Sequence, residues 1–294
     1  MNWAKYSFSV VFVVAAAFFL SLYFVAESKG VDRKDYLLDK FSEELRPAES
    51  LVPEGIPVVP EFKEGRARLV GTVQEVHGTV VAIHEKENTA YTLKKDLPIF
   101  QGDTLISFPQ ARASVKLHDG SAFAIAPNAK IFIDRSFYNP AEKKRSSLLS
   151  LLFGKARFYV AKLKGISDYR VKTPTAVCGV RGSDFALAVF PYKQETTWLQ
   201  KLAAYLRPVP PAYAQFAGPL ATAVITGEQT SISFSGLVGS LQSVGPYQLS
   251  WAPQGMAASA GIQLPATMAM GALGAVGPNL SSISMPPGFG ELKD

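Results

Sequence analysis

Cysteine, histidine and charge are all scarce in this sequence, and each shortage excludes a class of protein. The single cysteine, Cys178, rules out an intrachain disulfide, and in an oxidising compartment such a thiol has to be buried. The histidines His77, His84 and His118 have no cysteine or carboxylate partners at metal-site spacing. No nucleophile elbow, phosphate-binding loop or nucleic-acid-binding motif occurs. The sequence therefore predicts a protein that is not an enzyme, holds no cofactor or metal, and does not bind nucleic acid.

Charge is also distributed unevenly along the chain. Residues 191–294 contain four basic and four acidic side chains, so the whole net charge of +6 lies before them. Between Lys130 and Lys172, eleven basic residues face three acidic ones, a local net charge of 11 − 3 = +8. This excess predicts solvated strand faces and hairpin tips. If it is functional, it favours an anionic partner such as lipid head groups or an acidic envelope polymer.

One long hydrophobic run lies near the amino terminus. Residues 6–26 contain no charge over 21 positions, and a helix of this length spans about 30 Å, the thickness of the hydrocarbon core of a bilayer. A cleaved signal peptide is the alternative, but its apolar core is shorter, about 7–15 residues, and Phe24 is bulky for a cleavage site after Ala26. We therefore expect a transmembrane signal anchor, preceded by a short cytoplasmic tail at residues 1–5.

Residues 27–64 are expected to form a helix and a proline-rich linker. Apolar residues recur at helical spacing between Val31 and Arg46, and Pro47 ends the pattern. Four prolines then follow between Pro47 and Pro60 without periodicity, which is typical of an extended, semi-stiff spacer.

From residue 65 to residue 190 the hydrophobic period changes to two. Ala113, Val115 and Leu117 alternate with polar residues, and Asp119-Gly120 is a typical hairpin turn. Similar short alternating segments, separated by glycine and proline, continue to Val189. The pattern predicts an all-β fold, an antiparallel β roll or sandwich of short strands.

The chain after residue 190 is expected to interrupt and then close this domain. In the insertion at residues 191–217, Trp198, Leu202 and Tyr205 share one face of an amphipathic helix, which is expected to cover an open sheet edge. Docking of a partner or of a membrane surface is the alternative role for this helix. Closing strands are expected at residues 218–244. The Ala/Gly/Pro-rich tail at residues 245–294 predicts loose order or, alternatively, a short helix that packs on the domain.

The segment Tyr169–Phe185 has the most specific pattern. Gly179 and Gly182 bracket Arg181, which suggests backbone conformations or close approaches that a side chain would block. Arg181 lies among apolar residues, and burying an unpaired guanidinium would be very costly. The pattern therefore favours an internal clamp between Arg181 and Asp184, or turn carbonyls, over a ligand-binding arginine.

This segment resembles the signature of the FecR domain family, in which a Thr-Pro pair and small apolar residues precede Gly-Val-Arg-Gly and an aromatic residue. The matching signature residues are Thr173, Pro174, Gly179, Arg181, Gly182, Asp184 and Phe185. Further matches follow the family's order at Gly78–Val80, Ile99–Leu105, Ala113–Ser121, Ala126–Asn128 and Leu152–Ala156. The resemblance covers about Leu69–Val189.

The resemblance implies an exported binding module. The best-known FecR proteins sense an outer-membrane receptor from the periplasm, and a cytoplasmic region of theirs contacts a sigma factor. A tail of five residues makes such direct control doubtful here. We expect a single-pass inner-membrane protein, mostly periplasmic, that scaffolds or relays a signal by binding an outer-membrane receptor or another envelope protein. The alternative is a module that binds carbohydrate or cell-wall glycan. The candidate partner surface comprises Lys143, Lys144, Arg145, Trp198, Leu202 and Tyr205.

Overall fold

The computed structural model describes residues 33–47, 51–53, 55–192, 219–228 and 230–282. The expected anchor at residues 6–26 and the helix around Trp198 lie outside these ranges. Within them, no helix has both the length and the apolar character needed to cross a bilayer. The chain divides into two compact units, residues 1–39 and residues 40–294. Helix α1, residues 33–42, agrees with the helix predicted between Val31 and Arg46.

The described part of the second unit contains eighteen strands. The first nine are β1 Val58–Val59, β2 Leu69–His77, β3 Val80–His84, β4 Thr89–Thr92, β5 Pro98–Phe100, β6 Asp103–Ser107, β7 Arg112–Leu117, β8 Ala122–Ile125 and β9 Lys130–Asn139. The others are β10 Lys144–Val160, β11 Ile166–Lys172, β12 Ala176–Val180, β13 Ser183–Pro191, β14 Leu220–Thr226, β15 Ile232–Gly236, β16 Gln242–Val244, β17 Gln248–Pro253 and β18 Ile262–Gln263. Helix α2 covers Ala266–Val276, and single 3-10 turns cover Glu85–Glu87 and Leu280–Ser282.

The long strand β10 joins the strands into one continuous sheet with two halves. Its first part pairs with β9 and β11, in the half ordered β1-β4-β3-β6-β9-β10-β11-β12-β15-β16. Its second part pairs with β8 and β13, in the half ordered β5-β2-β7-β8-β10-β13-β14-β17-β18. Between the two parts, Gly154 has φ +84°, and a Cβ there would lie 2.6 Å from the Ala129 Cα. Only glycine fits this change of direction.

The prediction of a predominantly β fold is confirmed, with strands at all the alternating segments. Residues of both halves share one hydrophobic core. Pairing is mainly antiparallel, but β10–β11 and β1–β4 are parallel, which corrects the expectation of a purely antiparallel fold. Near the start of the domain, a bulge lies at Gly71 and a turn with φ +69° at Gly78.

Alternation identified the strands but not their burial. In β7 and β10, the polar positions expected to face solvent are buried as well: Ser114 is 3% exposed, Lys116 9% and Lys155 3%. On this side of the sheet, α2 contacts β10, β13 and β14, the 3-10 turn at Leu280–Ser282 contacts β8 and β10, and residues 41 and 43 accept the hydrogen bonds of Lys155. The face that a two-layer sandwich would expose is therefore internal.

The segments expected to be a spacer and a loose tail are both part of this packing. Phe41 and Leu45 are buried, and β1 adds to the sheet beside β4. Residues Leu51, Val52 and Ile56 pack against β3, β4 and β6. At the other end, β17 pairs with β14, and α2 buries Ala269, Leu273 and Val276. Of the two alternatives for the tail, residues 266–276 adopt the packed helix.

Candidate functional site

Thr173 and Pro174 of the signature have a structural role at the turn between β11 and β12. The Thr173 Oγ1 accepts hydrogen bonds from the amides of Thr175 and Ala176, at 3.3 and 2.9 Å. The hydroxyl of Thr222 lies 2.7 Å from that of Thr173 and 2.6 Å from that of Thr175. These bonds fasten the turn to β14, so the Thr-Pro step orients the strand that follows it.

The second half of the signature also fixes the fold. Gly182 has φ +82°, and a Cβ there would lie 2.3 Å from the Lys162 Cγ. Phe185 stacks on Phe158 with ring centroids 5.2 Å apart. The carboxylate of Asp184 accepts two hydrogen bonds from the guanidinium of Arg157, at 2.9 and 2.6 Å. This bidentate geometry gives a strong, oriented ion pair.

The ion pair between Arg157 and Asp184 corrects the expected clamp at Arg181. Asp184 was the predicted partner of Arg181, but Arg157 occupies it from β10 and also donates to the Gly277 carbonyl at 2.9 Å. Arg181 is exposed and makes no hydrogen bond or ion pair with any described residue. Sequence alone could not decide between two arginines for one carboxylate, because Arg157 in β10 and Arg181 in the turn between β12 and β13 are 24 positions apart. The signature arginine is therefore available at the surface.

Arg181 lines an open cleft of about 430 Å³ on the outer face of β11, β12, β15 and β16. We call this the signature cleft; its side chains and backbone come from Ser167–Arg170, Gly179–Arg181, Ser231–Ser233, Leu241 and Ser243. The strand register places Arg170, Gly179, Ser233 and Ser243 side by side across the four strands. Its surface is thus flat and rich in hydroxyl groups.

Gly179 keeps the floor of the cleft low. A Cβ at this position would lie 2.8 Å from the Ser233 Oγ, closer than real Cβ contacts allow. The Ser233 hydroxyl uses the space and donates to the Gly179 carbonyl at 3.2 Å. The first signature glycine is therefore needed for close approach of two strands directly beneath the cleft.

The two ends of the cleft differ in chemistry. Val180 lies opposite Ile232 in the strand register, so Arg181 lies at the end of the cleft near Ser231. On the neighbouring strand β11, the Asp168 carboxylate forms an ion pair with Arg170 at 2.7 Å and lies 3.9 Å from Arg135. At the opposite end, Leu241 has 67% of its surface exposed. One end is therefore positively charged and the other apolar.

The predicted basic surface divides into an exposed and a buried part. Lys143 and Lys144 are exposed, and Lys144 pairs in register with Ile166, two residues before Asp168 in the cleft. Arg145 is only 1% exposed, so it is removed from the candidate partner surface. The members of this surface on the insertion, Trp198, Leu202 and Tyr205, lie outside the described residues.

Arg145 instead holds a hairpin turn from inside the protein. Its guanidinium donates to the Asp119 carboxylate at 3.0 Å, to the Ser121 hydroxyl at 3.1 Å and to the Ala161 carbonyl at 3.0 Å. Two further bonds go to the Ser167 hydroxyl, at 3.1 and 2.6 Å. Asp119 of the Asp-Gly-Ser motif is thus the anion of a buried ion pair with Arg145. An arginine preceded by two lysines carries no signal of this burial.

A second buried constellation lies around His84, which is 4% exposed. Its Nδ1 is 2.6 Å from the Asp103 carboxylate, and its Nε2 is 2.8 Å from the Lys63 carbonyl. Both ring nitrogens face acceptors, so both bonds form only when the imidazole carries two protons. Burial alone lowers the pKa of His84, but the bonds to Asp103 and Lys63 outweigh it and raise that pKa above 6.5. This constellation fastens the linker to the domain.

Lys155 fastens a further segment of the same kind. Its Nζ donates to the carbonyls of Phe41 and Glu43, at 2.8 and 2.6 Å. Burial lowers the pKa of Lys155 to about 8. Cys178, also in the signature, is fully buried, which raises the pKa of its thiol and leaves it a small hydrophobic side chain. Among the described residues no cluster of three or more metal-ligating side chains occurs.

Comparison with known proteins agrees with the motif. The family described as FecR protein matches residues 103–198, a range that includes β6 to β13 and the whole signature. No curated protein matches the sequence. Two crystal structures, each provisionally described as an anti-sigma factor from Parabacteroides distasonis ATCC 8503, are 15% identical to this chain with a TM-score of 0.37. They align over 56% of this chain, which spans 61% of their length.

Proposed function

Since residues 103–198 match the FecR family, we propose that this chain is a non-enzymatic binding module that scaffolds or relays a signal in the cell envelope. Residues 6–26 anchor it in the inner membrane as a single span, and the β domain lies in the periplasm. Its partner is another envelope protein, such as an outer-membrane receptor.

The observation that carries the proposal is the position of Arg181. Thr173, Gly182 and Asp184 of the signature make contacts that hold the fold. Arg181 makes none with a described residue, and it lies in an open cleft. An arginine without a partner among the described residues, on a surface shaped by its neighbours, is suited to a partner outside the chain.

The test is capture of partners from envelope extract at low and at high salt, with proteins and glycans both identified. The bait is the full chain in detergent, because residues 41–43 and α2 complete the buried side of the domain. We expect one protein to be retained at high salt and to be lost with Arg181→Gln.

Two matched controls sharpen this test. Arg112→Gln removes the same charge from an exposed position in β7 and should retain the partner. Replacement of Lys143 and Lys144 by glutamate addresses the carbohydrate alternative. Glycan capture without any protein, lost at high salt and in this double variant, would overturn the proposal in favour of a cell-wall-binding module.

A further inference from the structure

We propose that the signature cleft binds an extended peptide segment that carries a carboxylate and, four residues away, an apolar side chain. This inference rests on the proposed function and specifies the ligand of the same site. In it, Arg181 pairs with the carboxylate and Leu241 contacts the apolar side chain.

The positive charge at one end of the cleft indicates that the ligand carries a negative charge. The one carboxylate that lines the cleft, Asp168, already pairs with Arg170 at 2.7 Å and lies 3.9 Å from Arg135, and Arg181 adds a third positive charge to the cleft. The basic turn at Lys143 and Lys144 lies at the same end of the strands. An anionic group is therefore attracted to this end, and a planar carboxylate fits the two parallel donors of a guanidinium.

The strand register determines the spacing of the two ligand groups. Arg181 lies beside Ser231, and Leu241 lies beside Ser235, because Val180 pairs with Ile232 and Gln242 with Phe234. Four residues of strand correspond to about 13 Å. In an extended peptide, side chains four residues apart point to the same face. Since β15 lies between β12 and β16, a peptide that runs over β15 has Arg181 on one side and Leu241 on the other.

The surface between these ends favours a peptide over a sugar chain. Gly179 keeps the floor flat, and the hydroxyls of Ser233 and Ser243 lie along it. Hydroxyl groups there can bond to the backbone of an extended chain, whereas a sugar ring stacks best on an exposed aromatic side chain. Tyr169, the aromatic residue at the cleft, is only 1% exposed. The apolar end carries an aliphatic leucine.

The probe for a direct test is a fluorescent nine-residue peptide of serine and threonine with one glutamate and one leucine four residues apart. Anisotropy with the full chain in detergent should show saturable binding. Binding should weaken at least tenfold when the glutamate is replaced by glutamine, or when the spacing becomes three residues, which places the two groups on opposite faces.

Variants of the protein complete the test. Arg181→Gln and Leu241→Ser should each weaken binding about tenfold, and Arg112→Gln should leave it within about twofold. Retention of an envelope protein by the full chain, with its loss in Arg181→Gln but no binding of the peptide, would overturn this inference and leave the proposed function intact. If neither an envelope protein nor the peptide binds, both fail. Equal binding of the glutamate and glutamine peptides would also exclude the carboxylate.

Discussion

The two regions that meet at the signature cleft stabilise their buried polar groups by different chemistry. The FecR-matched region buries the ion pairs Arg145–Asp119 and Arg157–Asp184. The closing region, residues 219–282, has one charged residue among those described, Glu228. In this region hydroxyl groups satisfy the buried polar atoms instead, since Thr222, Thr226 and Ser250 bond to neighbouring hydroxyls or carbonyls.

The same difference extends to the surface. The FecR-matched region contributes Arg170 and Arg181 to the signature cleft, and the closing region contributes Leu241 and the serines Ser231, Ser233 and Ser243. The exposed aliphatic residues Leu237 and Val238 also belong to the closing region, at the turn that precedes β16. The cleft has a basic and an apolar end because it forms where β12 of one region pairs with β15 of the other.

The largest loss of unfolding free energy should appear when a buried ion pair of the FecR-matched region is broken. Arg145→Met leaves the Asp119 carboxylate buried without its cation, and we expect a loss of about 3–5 kcal/mol of unfolding free energy. The matched variant Arg170→Met removes an exposed ion pair to Asp168 and should cost about 0–1 kcal/mol. Urea unfolding followed by intrinsic fluorescence measures both. Equal losses in the two variants would show that burial of Arg145 has no energetic weight.

A smaller loss of unfolding free energy is expected when the hydroxyl network of the closing region is broken. Thr222→Val keeps the shape of the side chain but removes the hydroxyl shared by Thr173 and Thr175, and we expect a cost of about 1–3 kcal/mol. Thr92→Val, at a half-buried position in β4, is the control and should be close to neutral. The loss of unfolding free energy in Thr222→Val should be the same at low and at high salt, because no charged group is involved. A salt-dependent loss would contradict the distinction between the two regions.

The smallest effect should be the pH dependence that His84 contributes to stability. The groups that face His84 are Asp103 on β6, Glu87 in the 3-10 turn and the Lys63 carbonyl. Since the pKa is raised on folding, the stabilisation is complete below about pH 6.5 and is lost as pH rises through the folded-state pKa.

The measurement compares the unfolding free energies of wild-type protein and His84→Gln across this pH range. Their difference should shrink as pH rises. A constant difference for His84→Gln would mean that the imidazole is not doubly protonated in the folded protein.

The sequence predicted much of the fold and the signature residues of the site, but not which residues they contact. Period-two alternation located β7, β8 and β13, and the Asp-Gly pair located the turn after β7. Both are local properties of the chain. Alternation could not reveal that Lys155 and Arg157 are buried, since this depends on residues 41–43 and 277, more than a hundred positions away.

Within the site, the signature shows the same contrast between what local sequence predicts and what contacts between distant residues decide. Its residue types by themselves identified the FecR match and indicated that Gly179 and Gly182 lie where a side chain would be blocked. Which arginine pairs with Asp184 was decided only by the tertiary structure. Strand pairing brings Arg157 of β10 beside Asp184 of β13 and leaves Arg181 at the surface, since cross-strand neighbours are set by register and not by distance along the chain.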